Sequence, residues 1–393
     1  MGLLKRIGQK AAPDTQEGKA VCSPVMIRQG ALVRHTRSLG KLEANMSQAD
    51  FSYSGTDGGM AMDWKALIYE YAYGRNRMEA DYDPAVLESL VDDTHYWDRQ
   101  KGKIDRLNVQ HRERGLEPIN REVRMRLLAL RPVRDGMLAD VRLHSRFAYR
   151  IQGELHVEER MEQECLFLSA RKRDWMIAGV EPDMREELSL LQGSREYPTR
   201  FLTPDARIES RPEPMLDPRA DIRKTPFYDR ERAAEYADRY WESANPAYLE
   251  FEVDCSNYVS QCIFAGGAPM NYTDRRDSGW WYRGMSGNRE NWSYSWAVAD
   301  SLRRYLSVGR SHGLRAKIVE TPQELEPGDV ISYCWKGDGR YGHSTVVAAR
   351  DKNGMPLVNA HTVSSKHRYW DYRDSYAWTE NTQYLFFHIT DRF

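Results

Sequence analysis

The sequence predicts an α+β protein whose helices and antiparallel strands are segregated along the chain rather than alternating. Three observations carry this. Apolar residues follow a helical period after Trp64, and the period switches to two after Asp140. In the last third, a helix opening on a cysteine is followed by β-branched strands, one of which opens on a histidine, so a helix bearing Cys255 is expected to pack on an antiparallel sheet bearing His343. At 393 residues the chain has room for two or three domains.

Residues 1–61 show no period and contain the loop-like run Ser52-Tyr53-Ser54-Gly55-Thr56-Asp57-Gly58-Gly59. They read as a disordered tail, or as an extension ahead of a start at Met60 or Met62. Residues 62–182 read as an accessory domain, helical over 62–130. Trp64, Leu67, Ile68, Tyr71 and Ala72 share one helix face. Asp83-Pro84 offers a cap and a first-turn proline to a second helix with Leu87, Leu90 and Val91, and a long charged stretch from Trp97 to Leu130 follows. Val141, Leu143, Phe147, Tyr149 and Ile151 then alternate with polar residues as a half-buried strand, and Gln152-Gly153 turns the chain. In the next strand Leu155, Val157 and Met161 are expected inward and Glu154, His156, Glu158, Arg160 and Glu162 outward. Cys165 and Phe167 continue it or begin another, and Trp175, Ile177 and Val180 follow the Arg173-Asp174 turn. Helices ahead of a curved antiparallel sheet resemble the cone-shaped fold of nuclear transport factor 2, and a scaffold role is expected. Residues 183–222, with Pro198, Pro204, Pro212, Pro214 and Pro218, read as a linker before a C-terminal domain over 223–393.

Composition excludes several classes. Lys and Arg total 57 against 58 Asp and Glu, so the basic excess of a nucleic-acid binder is missing. No apolar run approaches the roughly 20 residues of a membrane span. The first ten residues carry no signal-peptide core, which gives the expectation of a cytoplasmic protein with free thiols. The five cysteines include no C-x-x-C pair, so no metal knuckle and no cofactor is called for.

Chemistry concentrates in the C-terminal domain. Tyr228-Asp229-Arg230 leads into a helix with Ala233, Ala234, Ala237, Tyr240 and Trp241 on its buried face. In Asp254-Cys255-Ser256-Asn257-Tyr258-Val259-Ser260-Gln261-Cys262, Asp254 is a good helix cap and Cys255 falls in the first turn. There the free N–H groups favour thiolate and can hold an oxyanion. Cys262, two turns deeper, is expected in the core. Glu326-Pro327-Gly328-Asp329 turns into a strand from Val330 to Trp335, and His343 opens the strand His343-Ser344-Thr345-Val346-Val347. The partner strand, Leu357 to Thr362, carries Asn359 and His361. A three-residue Lys352-Asn353-Gly354 loop would make Thr345 face His361 and place His361 diagonal to His343 on the same face. A two-residue Asn353-Gly354 turn would put His361 and Asn359 on the other face. With the first register, Cys255 is the nucleophile, His343 the base and His361 its orienter, Asn359 being the alternative third residue. Trp280 and Trp281 are the substrate-groove candidates, with Asp254 and Ser256 flanking the thiol; the same aromatic loop also reads as packing.

These motifs, together with Ala265-Gly266-Gly267-Ala268-Pro269-Met270, Gly279-Trp280-Trp281-Tyr282, Ser295-Trp296, Pro327-Gly328-Asp329-Val330, Gly342-His343-Ser344 and Val358-Asn359-Ala360-His361-Thr362, resemble the bacterial "putative amidase" domain over about residues 225–393. That domain is related to NlpC-type cell-wall peptidases within the papain-like cysteine hydrolases. The resemblance implies a papain-like fold, Cys255 as nucleophile, His343 as base, a third polar residue on the next strand, and a cell-wall-derived peptide as substrate class. Cys255-Ser256 stands where the family has Cys-Thr. The leading expectation is a cysteine amidohydrolase or peptidase acting on a peptide or amide through an acyl-thiol intermediate. The alternatives are an acyltransferase on the same scaffold and a catalytically degenerate peptide-binding module.

Overall fold

A computed structural model describes residues 43–44, 63–171, 174–182, 184–188, 227–286 and 289–393. Apart from strand β1 (Glu43–Ala44), the stretch read as a tail or extension lies outside the described residues, as do the prolines of the linker.

The N-terminal region begins with α1 (Trp64–Asp81), capped by the Asp63 carboxylate, which accepts from Ala66 N–H. The expected face of Leu67, Ile68, Tyr71 and Ala72 is buried. Asp83 caps a short 3-10 turn, and α2 (Thr94–Arg114) follows and ends at Gly115 in a left-handed conformation. The helical expectation for 62–130 then fails, because Glu117–Val133 is strand β2. Its alternation is Val123 and Met125 buried against exposed Arg124 and Arg126. The arginine-rich outer face hid that alternation within a generally charged stretch. Strands β3 (Gly136–Ile151), β4 (Glu154–Arg171) and β5 (Asp174–Pro182) complete an antiparallel meander, turning at Gln152-Gly153 as expected.

The expected facing of β4 is reversed. Arg160, Glu162, Glu164, Leu166 and Leu168 are buried, while Leu155 is exposed. The inward charges are matched by charges on the helices. Arg75 of α1 pairs with Glu162 and Glu164, Lys103 of α2 bridges Glu79 and Glu162, and Arg160 binds Glu79. Hydropathy placed the apolar positions inward because the pairing partners lie some 60 to 90 residues away in sequence, as in Lys103–Glu162 and Tyr71–Glu164.

The C-terminal region holds α4 (Arg230–Tyr240), α5 (Cys255–Ala265), the hairpin β6 (Tyr282–Ser286) and β7 (Arg289–Trp292), then α6 (Tyr294–Ala297) and α7 (Ala299–Ser307). It continues with β8 (Ala316–Val319), β9 (Val330–Cys334), β10 (His343–Arg350), β11 (Pro356–Ala360), β12 (Ser365–Tyr369) and β13 (Gln383–Ile389). The fold is thus α+β, a mixture of helices and antiparallel sheet. The strand order is β1-β2-β3-β4-β12-β11-β10-β9-β13-β8, with β5 also pairing with β4. One sheet therefore runs through both regions, joined where Ser365 pairs with Arg160 and Lys366 with Glu159.

Two apolar layers sandwich the C-terminal part of the sheet. On one face Val330, Val346 and Phe387 pack with Tyr258, Val259 and Cys262 of α5 and Ala233 and Ala237 of α4. On the other, Ile331, Tyr333, Trp335, Val347, Val358 and Tyr372 form a separate cluster. The first turn of the stretch read as linker is α3 (Arg185–Leu188), whose Glu186 accepts from Ser375 Oγ at 2.6 Å and pairs with Arg368. The Trp335 indole N–H donates to the Glu186 carbonyl. That turn lies against the second face.

Candidate active site

Helix α5 is set by its packing. Tyr258, Val259, Cys262 and Ile263 are buried, and Gly267, at φ 94°, ends it. Gly266 touches the Tyr228 ring and could not carry a Cβ there without moving it. Cys255 is the first helical residue and is buried. Asp254 sits at the cap position but does not bond the helix N–H groups through its side chain. Its Oδ1 accepts from Phe251 N–H at 3.0 Å and Asn257 Nδ2 at 2.8 Å, and its Oδ2 lies 2.7 Å from His361 Nδ1.

The His361 ring is fully engaged. Nε2 lies 2.6 Å from the Tyr240 carbonyl, and the ring stacks on Tyr258 at 4.0 Å. Asp254 N–H in turn donates to Thr362 Oγ1 at 3.2 Å. Tyr258 and Thr362 were not singled out from the sequence, and Tyr240 was read only as part of a buried helix face. Tyr258 carried a signal, lying one helical turn after Asp254 on the same face.

The thiol of Cys255 is pushed up from its ordinary value. Burial dominates, the Asp254 carboxylate adds to it, and the N–H groups of Ser344 and Ser256 with the Ser256 hydroxyl pull the other way. The thiolate expected at a helix N-terminus is therefore a buried thiol at rest, because the desolvation cost of the anion exceeds what those donors return. Ser256 is itself fully buried, its Oγ 3.8 Å from Cys255 Sγ and 3.5 Å from Ser344 Oγ.

The hairpin that carries the histidines differs from expectation in one detail. The three-residue loop forms: Asp351 N–H bonds Met355 O, Gly354 has φ 75°, and Ala349 pairs with Leu357 in the expected register. A bulge between Ala349 and Val347 then shifts the register by one, so that Val347 faces Val358 and Val346 faces Asn359. A one-residue slip exchanges faces. Asn359 and His361 consequently lie on the α4–α5 side, where Asn359 Nδ2 donates to Asp238 at 2.8 Å and its Oδ1 accepts from His367 N–H.

His343 is on the other side. It pairs with Tyr333 of β9, and its ring packs against Tyr333, Trp335 and Tyr372 at 5.3–5.8 Å. Its buried Nε2 has no hydrogen-bond partner. Burial, with Arg368 nearby, lowers its pKa to about 3, so the imidazole is neutral near pH 7. The diagonal contact expected between His343 and His361 is absent, and Asn359 does not supply it either. No hydrogen bond joins His343 to Cys255, although His343 directly precedes Ser344, whose N–H lowers the thiol's pKa.

Trp280 and Trp281 are buried rather than lining a groove. The Trp280 indole donates to Ser260 Oγ and that of Trp281 to Ser278 O, which satisfies both N–H groups inside the packing. Among the described residues no group of three or more His, Cys, Asp or Glu is arranged to hold a metal ion, and no helix is long and apolar enough to cross a membrane.

Cys255 thus stands at the first position of α5, with the Ser256 hydroxyl 3.8 Å from its sulfur. Residues 227–387 match the family model described as "Putative amidase domain". An uncharacterized protein of Bacillus subtilis (strain 168), YhbB, is 51% identical over 164 residues. The aligned part is 42% of this chain and 51% of the relative, so the chain spans about half the length of the curated relative it matches. No solved structure matches.

Proposed function

We propose that residues 227–393 form a cysteine amidohydrolase with Cys255 as nucleophile. The observation that carries this is the place of Cys255 as first residue of α5, with the Ser256 hydroxyl 3.8 Å from its sulfur and the Ser344 and Ser256 N–H groups drawing the thiol's pKa down against burial. Donors held there by the backbone can stabilise the oxyanion of a tetrahedral intermediate as well as the attacking thiolate.

The thiol starts protonated, so the reaction needs a base. His343 is proposed for that role, since its imidazole is neutral and its Nε2 is free of partners. At rest the ring lies on the face of the sheet away from α5, so serving as the base requires the start of β10 to rearrange when substrate binds, beyond a turn of the side chain. The imidazole takes the thiol proton as sulfur bonds the carbonyl carbon. It returns the proton to the amine as the C–N bond breaks, leaving an acyl-thiol. Water, giving a proton to the same imidazole, then releases the carboxylic acid and restores the thiol. His361 holds Asp254, and through it the start of α5; this positioning role replaces the orienter role expected for it. Cell-wall-derived peptides remain the substrate class that the resemblance suggests.

Turnover of aminoacyl and peptidyl p-nitroanilides, with intact-mass detection of the acyl-enzyme, tests the reading. Cys255→Ala is expected to lose on the order of 10³-fold or more in kcat while keeping its thermal transition. Undiminished turnover in that variant, or an acyl adduct on another residue, would overturn it.

A further inference from the structure

The described residues enclose a cavity of about 450 Å³ between the outer face of β3–β4 and the loops that flank Cys255. Arg142 of β3 and Met161 and Gln163 of β4 form one wall, with Arg185 of α3 beside them. Arg142 and Gln163 are cross-strand partners, on the face that β4 turns away from the helices. Glu242, Glu250 and Glu252, from the chain between α4 and α5, also line it. Asp254, His361 and Thr362 lie at the cavity's end toward α5.

The lining is charged with both signs, and the charges sense one another. The half-buried Glu250 carboxylate is raised by burial and by Asp254, and is drawn down by His361, Arg185 and Arg142. The Asp254 and His361 end is saturated by its own bonds, so it shapes the cavity rather than answering a ligand's charge. Recognition falls to the glutamates, to Arg142, and to Arg185, which already has a partner and whose five N–H donors can take a further carboxylate. A volume in this range suits a small ligand. Cys255 is not itself in the lining, but Asp254, the residue before it, is, so a ligand seated here reaches the start of α5 through Asp254.

We propose that this cavity is the substrate cleft and that it selects a short zwitterionic peptide, whose carboxylate meets Arg142 and Arg185 and whose ammonium meets Glu242, Glu250 and Glu252. The inference rests on Cys255 as nucleophile for its placement and adds the substrate class. It also gives the N-terminal sheet a binding role in place of the scaffold role expected from its fold.

Calorimetric titration of the full chain carrying Cys255→Ala separates recognition from turnover. The probes are alanyl-glutamate, its N-acetyl form and its fully amidated form. The free dipeptide is expected to bind, and capping either charge to weaken binding roughly tenfold or more. Arg142→Gln and Arg185→Gln should each weaken the free and N-acetyl forms about tenfold and leave the amidated form unchanged. Thermal melts confirm that each variant is folded. The proposal is overturned by equal affinity for capped and free peptides, by no binding of the free dipeptide at millimolar concentration, or by folded arginine variants that bind as the parent does. A wild-type enzyme that binds with this selectivity but never acylates Cys255 would sink the nucleophile and keep the recognition. Turnover at Cys255 without charge selectivity would do the reverse.

Discussion

Cys255 and His343 are both kept neutral by burial, and that sets how each responds to acid. The unfolded imidazole takes a proton near pH 6.5, whereas the folded one, desolvated among Tyr333, Trp335 and Tyr372, takes it only near 3. Between those values the unfolded chain binds the extra proton, so stability falls as pH falls. The share owed to this residue is ~1.4 kcal/mol per pH unit inside the window. His343→Gln removes it. Urea denaturation at pH 6, 5 and 4 should therefore show the stability difference between wild type and variant shrinking by about that amount per unit. A difference constant over the range would mean that the histidine is not desolvated as described. The start of α5 at Cys255 was legible from the sequence as a local pattern, although Asp254 holds the cap position without a side-chain bond to the helix backbone. The protonation of the Cys255 thiol was not, since burial is contributed by chain remote in sequence.

At the scale of elements, β4 is the instructive case. Its apolar residues alternate cleanly, and alternation alone assigns them inward. The element instead buries Arg160, Glu162 and Glu164, because α1 and α2 present Arg75, Glu79 and Lys103 to that face. Arg160 also binds Asp374 of the C-terminal region, so one guanidinium holds two carboxylates. Arg160→Met leaves Glu79 and Asp374 short of a buried partner and is expected to cost about 3–5 kcal/mol. A loss below about 1 kcal/mol in the urea midpoint analysis would show that the network relaxes around the change. The β10–β11 hairpin teaches the complementary lesson. Asp351 to Gly354 encode the loop that forms, but the bulge two residues beyond it has no turn residue to announce it. Packing on the two faces decides it: Val347 and Val358 fill one layer, Val346 the other.

For the whole molecule, the consequential feature is the shared sheet. β12 is covered on one edge by β11 and on the other by β4, and Arg368 with Asp374 ties that edge to Glu186 and Arg160. A fragment beginning at residue 227 would expose the β12 edge and leave Asp374 without Arg160. It is expected to aggregate or to melt well below the full chain, since unpaired edges seek other strands. Sedimentation and thermal scans of the fragment beside the full chain give the check. A monomeric fragment with the parent's transition would show that the N-terminal strands contribute nothing to its stability.

The sequence by itself determined the α+β class, α1 and its buried face, the cap at Asp83, the turn at Gln152-Gly153, a hairpin turn closing on Gly354, and the start of α5 at Cys255. Each of these depends on residues within a turn or two of one another. Only the tertiary structure decided the strand at Glu117–Val133, the inward charges of β4, the burial of Trp280 and Trp281, and the separation of His343 from His361 across the sheet. The physical reason is common to all four. Which face a side chain takes, and whether a charge can be buried, is set by partners that the chain brings alongside only when it has folded.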